Sequence, residues 1–199
     1  MAQPNFDIGG LVKKSWEIVQ RNAAVLIGGI LVIALIQGVL SSITAKLGLY
    51  NAGSLIVGGP LMLGYCGVVL RAARGGSPQF GELFEGFQRF LPAFLANLLI
   101  TIFTTIGMVL CVLPGLFVGM IYCLTYFYMF DKKSDFWPSM ESSRQTIMGA
   151  FGAWIPVYLV FLLLVIAGAI ACGVGLLVTV PIAAVMLALA YDQAGGEVS

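Results

Sequence analysis

The amino-acid sequence predicts an all-α membrane protein with six transmembrane helices, arranged as three helical hairpins that each follow a cytoplasmic amphipathic interfacial helix. Composition predicts the membrane class, because 60% of the 199 residues are hydrophobic and only 10% are charged. A soluble domain is usually about 45 to 50% apolar and about 25% charged, so this chain would expose large apolar surfaces to water. The length of the uncharged stretches predicts the hairpins.

Three long apolar blocks contain the predicted spans. Residues 92–130 and 149–191 carry no charge, and Lys46 is the one charged residue in 22–70. A straight helix through the middle block would measure about 58 Å, nearly twice the hydrocarbon thickness of about 30 Å. Each block must therefore cross the membrane twice. Helices are expected, because the blocks lack the alternating polar positions of barrel strands.

Six spans follow from these blocks, at approximate positions 22–43, 54–72, 93–113, 115–130, 150–171 and 175–191. Residues that favour turns separate the two spans of each pair. They are Asn51 with Gly53, Pro114 with Gly115, and Gly173 with Gly175.

A segment with helical apolar spacing precedes each hairpin and is expected to lie in the membrane interface. The apolar face of the first comprises Ile8, Leu11, Val12, Trp16 and Val19. That of the second comprises Phe80, Leu83, Phe84, Phe87 and Leu91, and the weaker third has Trp137, Met140, Ile147 and Phe151. The order predicts one domain, 1–199, built of three pseudo-repeats at about 5–73, 78–131 and 136–192. Alternatively, amphipathic connectors arise simply because any hairpin bundle needs them.

The charges predict the orientation. Lys46 lies at one end of the hairpins, and the other nine basic residues flank the opposite end. These nine are Lys13, Lys14, Arg21, Arg71, Arg74, Arg89, Lys132, Lys133 and Arg144. The positive-inside rule therefore places both termini in the cytoplasm. A bacterial inner membrane is the expected location.

Two prolines lie at matching depth in the second and sixth spans, because Pro60 and Pro181 each stand 11 residues before the first following charge. A proline inside a helix frees a backbone carbonyl, which can line a cavity or coordinate a ligand. Gly58 and Gly59 would let a second backbone or a ligand approach Pro60 closely. The alternative is that these residues only kink and pack the helices.

Asn97 and Thr101 lie one helical turn apart in the third span and are the polar residues proposed for the same central cavity. The alternative is that they form hydrogen bonds between helices. No carboxylate, Lys or Arg stands within a span to mark ion coupling, apart from the residues at the span ends.

Five basic residues at the cytoplasmic boundary are candidates for contact with anionic lipid headgroups. They are Arg71, Arg74, Arg89, Lys132 and Lys133. A basic residue near an anionic membrane surface contributes about 1 kcal/mol of attraction. Orientation by the positive-inside rule explains the same residues equally well.

Neither a metal centre nor a cofactor site is expected. The sequence contains no His, and its cysteines lie in apolar runs without CxxC spacing. They are Cys66, Cys111, Cys123 and Cys172. Cys111 and Cys172 both stand near predicted outer turns, although spacing does not establish a disulfide. Because nucleophile motifs and a His partner are absent from the sequence, we expect no catalytic activity.

A scattered set of small, aromatic and proline residues carries a family resemblance. The set comprises Gly59-Pro60-Leu61, Gly64, Arg74-Gly75, Phe84, Phe87, Phe90, Pro114-Gly115, Tyr122, Ser143, Met148-Gly149, Gly173, Gly175, Pro181 and Tyr191. On these residues nearly the whole chain resembles uncharacterised bacterial multi-pass membrane proteins related to the membrane domain of some glycerophosphoryl diester phosphodiesterases. The resemblance implies a six-helix membrane domain, and it brings no catalytic residues.

Together these observations favour a non-catalytic integral membrane protein, acting as a lipid-interacting module or as a scaffold or accessory subunit of a membrane assembly. The expected partners are membrane lipids, other membrane subunits or further copies of the chain. Nucleic acid is not expected, because a net charge of +1 offers no basic footprint. The alternative is a transporter or channel-like pathway for a small neutral or amphipathic solute, or for lipid, near Pro60 and Pro181.

Overall fold

The computed structural model describes residues 6–46, 52–171 and 175–196, and these ranges contain helices and no strand. The α-helices are α1 (Ile8–Arg21), α2 (Ala23–Lys46), α3 (Ala52–Ala73), α4 (Phe90–Leu110), α5 (Val112–Tyr122), α6 (Thr125–Asp131), α7 (Phe136–Gly149), α8 (Phe151–Ile170) and α9 (Leu176–Tyr191). A 3₁₀ helix, Phe80–Arg89, precedes α4, and a π-helical segment, Asp192–Gly196, follows α9.

Six helical segments are long and apolar enough to cross a membrane, as the sequence predicts. They are α2, α3, the 3₁₀ helix continued by α4, α5 continued by α6, α8, and α9 with the segment that follows it. The predicted all-α class with six candidate spans is therefore confirmed. Helices adjacent in the chain pack side by side, α2 with α3, α4 with α5, and α8 with α9.

The second of these pairs differs in detail from the prediction. The chain turns at Cys111, whose backbone is extended, with φ −174° and ψ 154°. Pro114 and Gly115 lie in the first turn of α5, so the turn predicted at these two residues is wrong in position. Proline is tolerated there because the first N–H groups of a helix have no intrahelical partner.

The fourth predicted span is divided into two helices. α5 ends at Tyr122 and α6 begins at Thr125, and the backbone N–H of Cys123 donates to the Met120 carbonyl at 3.3 Å. Cys123 is half-buried at this break, while Cys66 is buried and Cys111 is exposed. Asn51, Cys172 and Gly173 lie outside the described residues, as do the turns predicted there and any pairing of Cys172.

Burial is uneven among the apolar helices. In the apolar stretch of α3, 72% of residues are buried, and in that of α9, 61%. The corresponding share is 11% in α2 and 17% in α8. Large apolar side chains are exposed on α2, α4 and α8, which we call the peripheral helices; they include Leu35, Val39, Ile43, Ile106, Val109, Leu159, Leu163, Ile166 and Ile170. The bundle thus has α3 and α9 at its centre.

The short helices each bury one side in the bundle. Asp7 caps the N-terminus of α1, because its side chain accepts a hydrogen bond from the Gly10 N–H at 3.2 Å. α1 packs against α9. Its buried residues are Leu11, Ser15, Ile18 and Val19. In α7 they are Ser139, Met140, Ser143 and Ile147. Seven residues of the predicted apolar faces are exposed instead of buried in the bundle. They are Trp16, Phe80, Phe84, Phe87, Leu91, Trp137 and Phe151.

Candidate functional site

Charged side chains from three parts of the chain meet at one end of the bundle, which we call the charged end. Arg74 directly follows α3, Asp131 ends α6 and Asp192 directly follows α9. One guanidinium nitrogen of Arg74 lies 2.6 Å from Asp131 Oδ1, and the other lies 2.9 Å from Asp192 Oδ1. We call these three residues the arginine clamp, because a single side chain joins the ends of three helices.

One further hydrogen bond and the pKa of Arg74 support the arginine clamp. The hydroxyl of Tyr191 donates to the second oxygen of Asp131 at 3.0 Å, so both oxygens of this carboxylate are engaged. The hydrogen bond with Asp131 is the largest cause that raises the pKa of Arg74, and the bond with Asp192 raises this pKa as well. The guanidinium therefore stays charged throughout the physiological range.

The end of α3 positions Arg74. Gly75 follows it with φ +83°, a conformation that glycine adopts without steric cost. The N–H of Gly75 donates to the Ala72 carbonyl at 3.1 Å, and that of Gly76 donates to the Arg71 carbonyl at 2.9 Å. This pair of bonds is a Schellman motif, which ends the helix and satisfies two of its last carbonyls.

Arg71 of α3 binds two carboxylates of the 3₁₀ helix. Its guanidinium forms two hydrogen bonds to Glu85, at 3.2 and 2.8 Å, and an ion pair with Glu82 at 2.8 Å. The same group lies 5.3 Å from the centre of the Phe130 ring. Arg89, at the other end of the 3₁₀ helix, donates to the Met129 carbonyl at 3.1 Å. These contacts join α3, the 3₁₀ helix and α6.

The five predicted headgroup residues thus fall into two groups. Arg71 and Arg74 are paired with carboxylates, and Arg89 lies 3.8 Å from Asp135. Lys132 and Lys133 are exposed, and no carboxylate of the described ranges lies within 4.0 Å of either ammonium group. The Lys132 ammonium lies 5.9 Å from the centre of the Tyr128 ring. Protein carboxylates therefore compensate most of the arginine charge.

Two cavities flank the arginine clamp. The smaller, of about 410 Å³, lies between α3, the 3₁₀ helix and the end of α6. It brings together three of the predicted residues, Arg71, Arg89 and Lys133, with the carboxylates of Glu85 and Asp131. The larger, of about 600 Å³, lies between α1 and the ends of α3 and α9. We call it the α1 cavity.

The residues predicted for a central cavity lie elsewhere. Asn97 donates to the Leu55 carbonyl at 2.9 Å and accepts from the Tyr126 hydroxyl at 3.2 Å. A Cβ added to Gly58 would lie 3.4 Å from Asn97 Nδ2, so Gly58 and Asn97 do come together. Thr101 is exposed on α4. The hydrogen bonds of Asn97 link α4 to α3 and to α6.

Pro60 and its neighbours are in contact with protein backbone. A Cβ on Gly59 would come closer than 3.0 Å to the Ala93 carbonyl, and a Cβ on Gly86 would come equally close to the Pro60 carbonyl. Pro60 and Pro181 are both buried. Neither proline lines either cavity at the charged end. The close approach that the glycines permit is therefore made by the 3₁₀ helix and α4.

Several residues of the charged end were not among the sequence-based candidates. They are Lys14, Arg21, Asp131, Tyr191 and Asp192. A signal for two of them was present, because Asp131 and Asp192 are the first charged residues after the fourth and sixth predicted spans. The positions of these two aspartates in the sequence do not show which arginine lies between them in the fold. No local sequence pattern predicts that α1 packs against α9.

Comparison with known proteins finds relatives without an assigned role. The chain is 31% identical over 105 residues to an uncharacterised protein of Mycobacterium bovis and, equally, to uncharacterised proteins from two strains of Mycobacterium tuberculosis. The match covers 52% of this chain and 32% of each relative, so the chain spans about a third of their length. No protein-family model matches the chain, and no solved structure matches it.

Proposed function

We propose that this chain is a non-catalytic module of a bacterial inner membrane that acts through contact with lipids. The observation that carries the proposal is the apolar surface of the peripheral helices. Only 11% of the residues in the apolar stretch of α2 are buried, although this stretch is among the most hydrophobic in the chain. Such surfaces are stable when hydrocarbon surrounds them.

The proposed membrane arrangement consists of three hairpins, α2–α3, α4 to α6, and α8–α9, with the charged end in the cytoplasm. The short helix before each hairpin lies in the interface. A row of phenylalanines supports this position for the 3₁₀ helix: Phe84, Phe87 and Phe90 are all at least 37% exposed, and successive ring centres from Phe84 to Phe94 are 6.2 to 6.4 Å apart. The row continues directly onto the apolar surface of α4.

The threefold element order supports three pseudo-repeats. Each proposed repeat contains one short helix followed by two long apolar segments. Arg74, Asp131 and Asp192 then stand at equivalent places, directly at the end of each hairpin. We propose on the same grounds, together with the residues quoted for it above, that the chain is related to the uncharacterised multi-pass membrane family it resembles.

A scaffold role and a solute pathway are the competing functions. The large exposed apolar surface also suits a scaffold, whose helices would contact other membrane proteins. A pathway near Pro60 has less support, because the polar group of Asn97 is occupied by the Leu55 carbonyl and the Tyr126 hydroxyl. The backbone contacts of Gly59 and Gly86 also occupy the space beside Pro60.

Native mass spectrometry of the protein after extraction in a mild detergent tests the lipid role. We expect phospholipids, anionic ones above all, to remain bound to the chain after delipidating washes. A stoichiometric protein partner without retained lipid would contradict the proposal and favour the scaffold. Substrate-dependent flux in liposomes that Pro60→Ala abolishes would contradict it in favour of the pathway.

Cysteine labelling in intact cells tests the topology. In a background without native cysteines, we expect Lys46→Cys at the end of α2 to react with an impermeant thiol reagent. We expect Lys132→Cys at the charged end to react only after the cells are permeabilised. Both lysines are exposed, so burial does not bias the comparison. Labelling of Lys132→Cys in intact cells would reverse the proposed orientation.

A further inference from the structure

The α1 cavity combines an apolar floor with a basic rim. The floor includes Ile18 of α1, Ala72 of α3 and Leu189 of α9. Lys14 and Arg21 of α1 contribute to the rim, together with Arg74. The volume of about 600 Å³ is within the range of pockets that bind small ligands. Three separate elements thus supply one concave surface with positive charges at its edge.

The described residues do not balance the positive charge of this cavity. Asp192 also lines the cavity, and it is already engaged with Arg74 in the arginine clamp. Within the described ranges, no carboxylate lies within 4.0 Å of the cationic groups of Lys14 or Arg21. Both side chains belong to exposed residues. Within the described part of the chain, two positive charges are therefore without a carboxylate partner and can face an anionic ligand.

The position of the cavity indicates the source of that anion. Arg21 ends α1, and α2 begins two residues later at Ala23. The cavity also borders the last residues of α3 and α9. Three apolar helices therefore end at its rim, and in the proposed membrane arrangement this is the level of the lipid headgroups. The apolar floor suits the first methylene groups of the acyl chains, which lie just below a headgroup.

We propose that the α1 cavity binds the phosphate group of an anionic phospholipid, with Lys14 and Arg21 as its cationic ligands. The inference rests on the proposed function, because it takes the charged end to lie at the membrane interface. A phosphate group of a soluble molecule has the same charge chemistry. The two sources differ in the need for an acyl chain, and an experiment can separate them.

Titration with phosphatidylglycerol in detergent micelles, followed by native mass spectrometry, measures the affinity. The double variant Lys14→Gln/Arg21→Gln is expected to bind the lipid about 25-fold more weakly, at about five-fold for each cation removed, a factor that corresponds to about 1 kcal/mol. Lys13→Gln is the matched control, because Lys13 is an exposed neighbour outside the cavity lining. We expect the control to change the affinity less than two-fold. Lys14→Arg/Arg21→Lys should retain binding and exclude a folding defect.

Three results would overturn the inference. Equal weakening in Lys13→Gln would show general attraction of anions to α1 instead of a site. Unchanged affinity in the double variant, while the wild-type chain binds phosphatidylglycerol, would show that the lipid binds elsewhere and would leave the proposed function intact. Displacement of the lipid by glycerol 3-phosphate or inorganic phosphate at comparable concentrations would assign the site to a soluble ligand. If the wild-type chain retains no lipid at all, the proposed function itself fails.

Discussion

Replacing Gly64 by alanine is expected to destabilise the bundle by about 3 kcal/mol, at the upper end of the range for overpacked cores. Gly64 lies in α3, where the 3₁₀ helix crosses it, and a Cβ at this position would come closer than 3.0 Å to the Leu83 carbonyl and carbonyl carbon. The neighbouring group is backbone, so no side-chain rotation can relieve the clash. Thermal unfolding of the purified protein in detergent measures the effect as a lowered melting temperature.

Gly38→Ala provides the matched control for this substitution. Gly38 lies in α2, and a Cβ added there would meet nothing within 4 Å. Alanine favours a helix over glycine by about 1 kcal/mol, so the control should keep or slightly raise the melting temperature. Equal melting temperatures for the two variants would mean that the backbone contact between α3 and the 3₁₀ helix does not exist in the folded protein.

Replacing Arg74 by glutamine is expected to cost about 2 kcal/mol, because it leaves two carboxylates facing each other without a counter-charge. The side chains of Asp131 and Asp192 are only 16% and 17% exposed, so water replaces the lost pairing incompletely. The Arg74 side chain is 32% exposed, which places the effect below the 3 to 5 kcal/mol typical of a fully buried pair. A lowered melting temperature in detergent is again the measurement.

A double-mutant comparison separates charge pairing from packing. In the background Asp131→Asn/Asp192→Asn, Arg74→Gln should lower the melting temperature much less than it does in the wild-type chain. Arg144→Gln is the surface control, because Arg144 pairs with Glu141 one helical turn away and both side chains are more than one third exposed. We expect no measurable change for this control. An undiminished effect of Arg74→Gln in the asparagine background would contradict the arginine clamp.

Both predictions concern contacts made by α3 or by Arg74, which directly follows it. The 3₁₀ helix is held against α3 by backbone contact at Gly64 and Gly86, and by the bonds of Arg71 to Glu82 and Glu85. The arginine clamp then joins the ends of α3, α6 and α9. These backbone contacts and ion pairs between elements therefore lie along α3 and at the charged end. The peripheral helices keep much of their apolar surface exposed.

The predicted spans agree with the structure where hydrophobic composition alone determines the position of an apolar helix. The charge-free block 92–130 contains two apolar segments, because hydrocarbon requires internally hydrogen-bonded helices of limited length. The turn inside that block could not be predicted correctly, since Cys111 carries no turn signal and Pro114 does. A proline in a first helical turn and a proline in a loop have the same local sequence signature.

In the candidate site too, some features could be predicted from the sequence and others could not. Arg71, Arg74 and Arg89 could be chosen from the sequence, because basic residues concentrate at the cytoplasmic ends of membrane helices. Their carboxylate partners could not be assigned, because Arg74 lies 57 residues from Asp131 and 118 residues from Asp192. The side-chain bonds of Asn97 to Leu55 and Tyr126 likewise join helices through pairs that no spacing rule identifies.

The sequence by itself determined the membrane class, the number of apolar segments and the end at which charges gather, because lipid solvates apolar helices according to their length and composition. The tertiary structure decided which charges neutralise one another and which, among the described residues, have no carboxylate partner. It also assigned Gly59, Gly64 and Gly86 to backbone contacts. These outcomes depend on distances between residues that are far apart in the chain. Helix packing sets those distances, and the local periodicity of the sequence does not encode them.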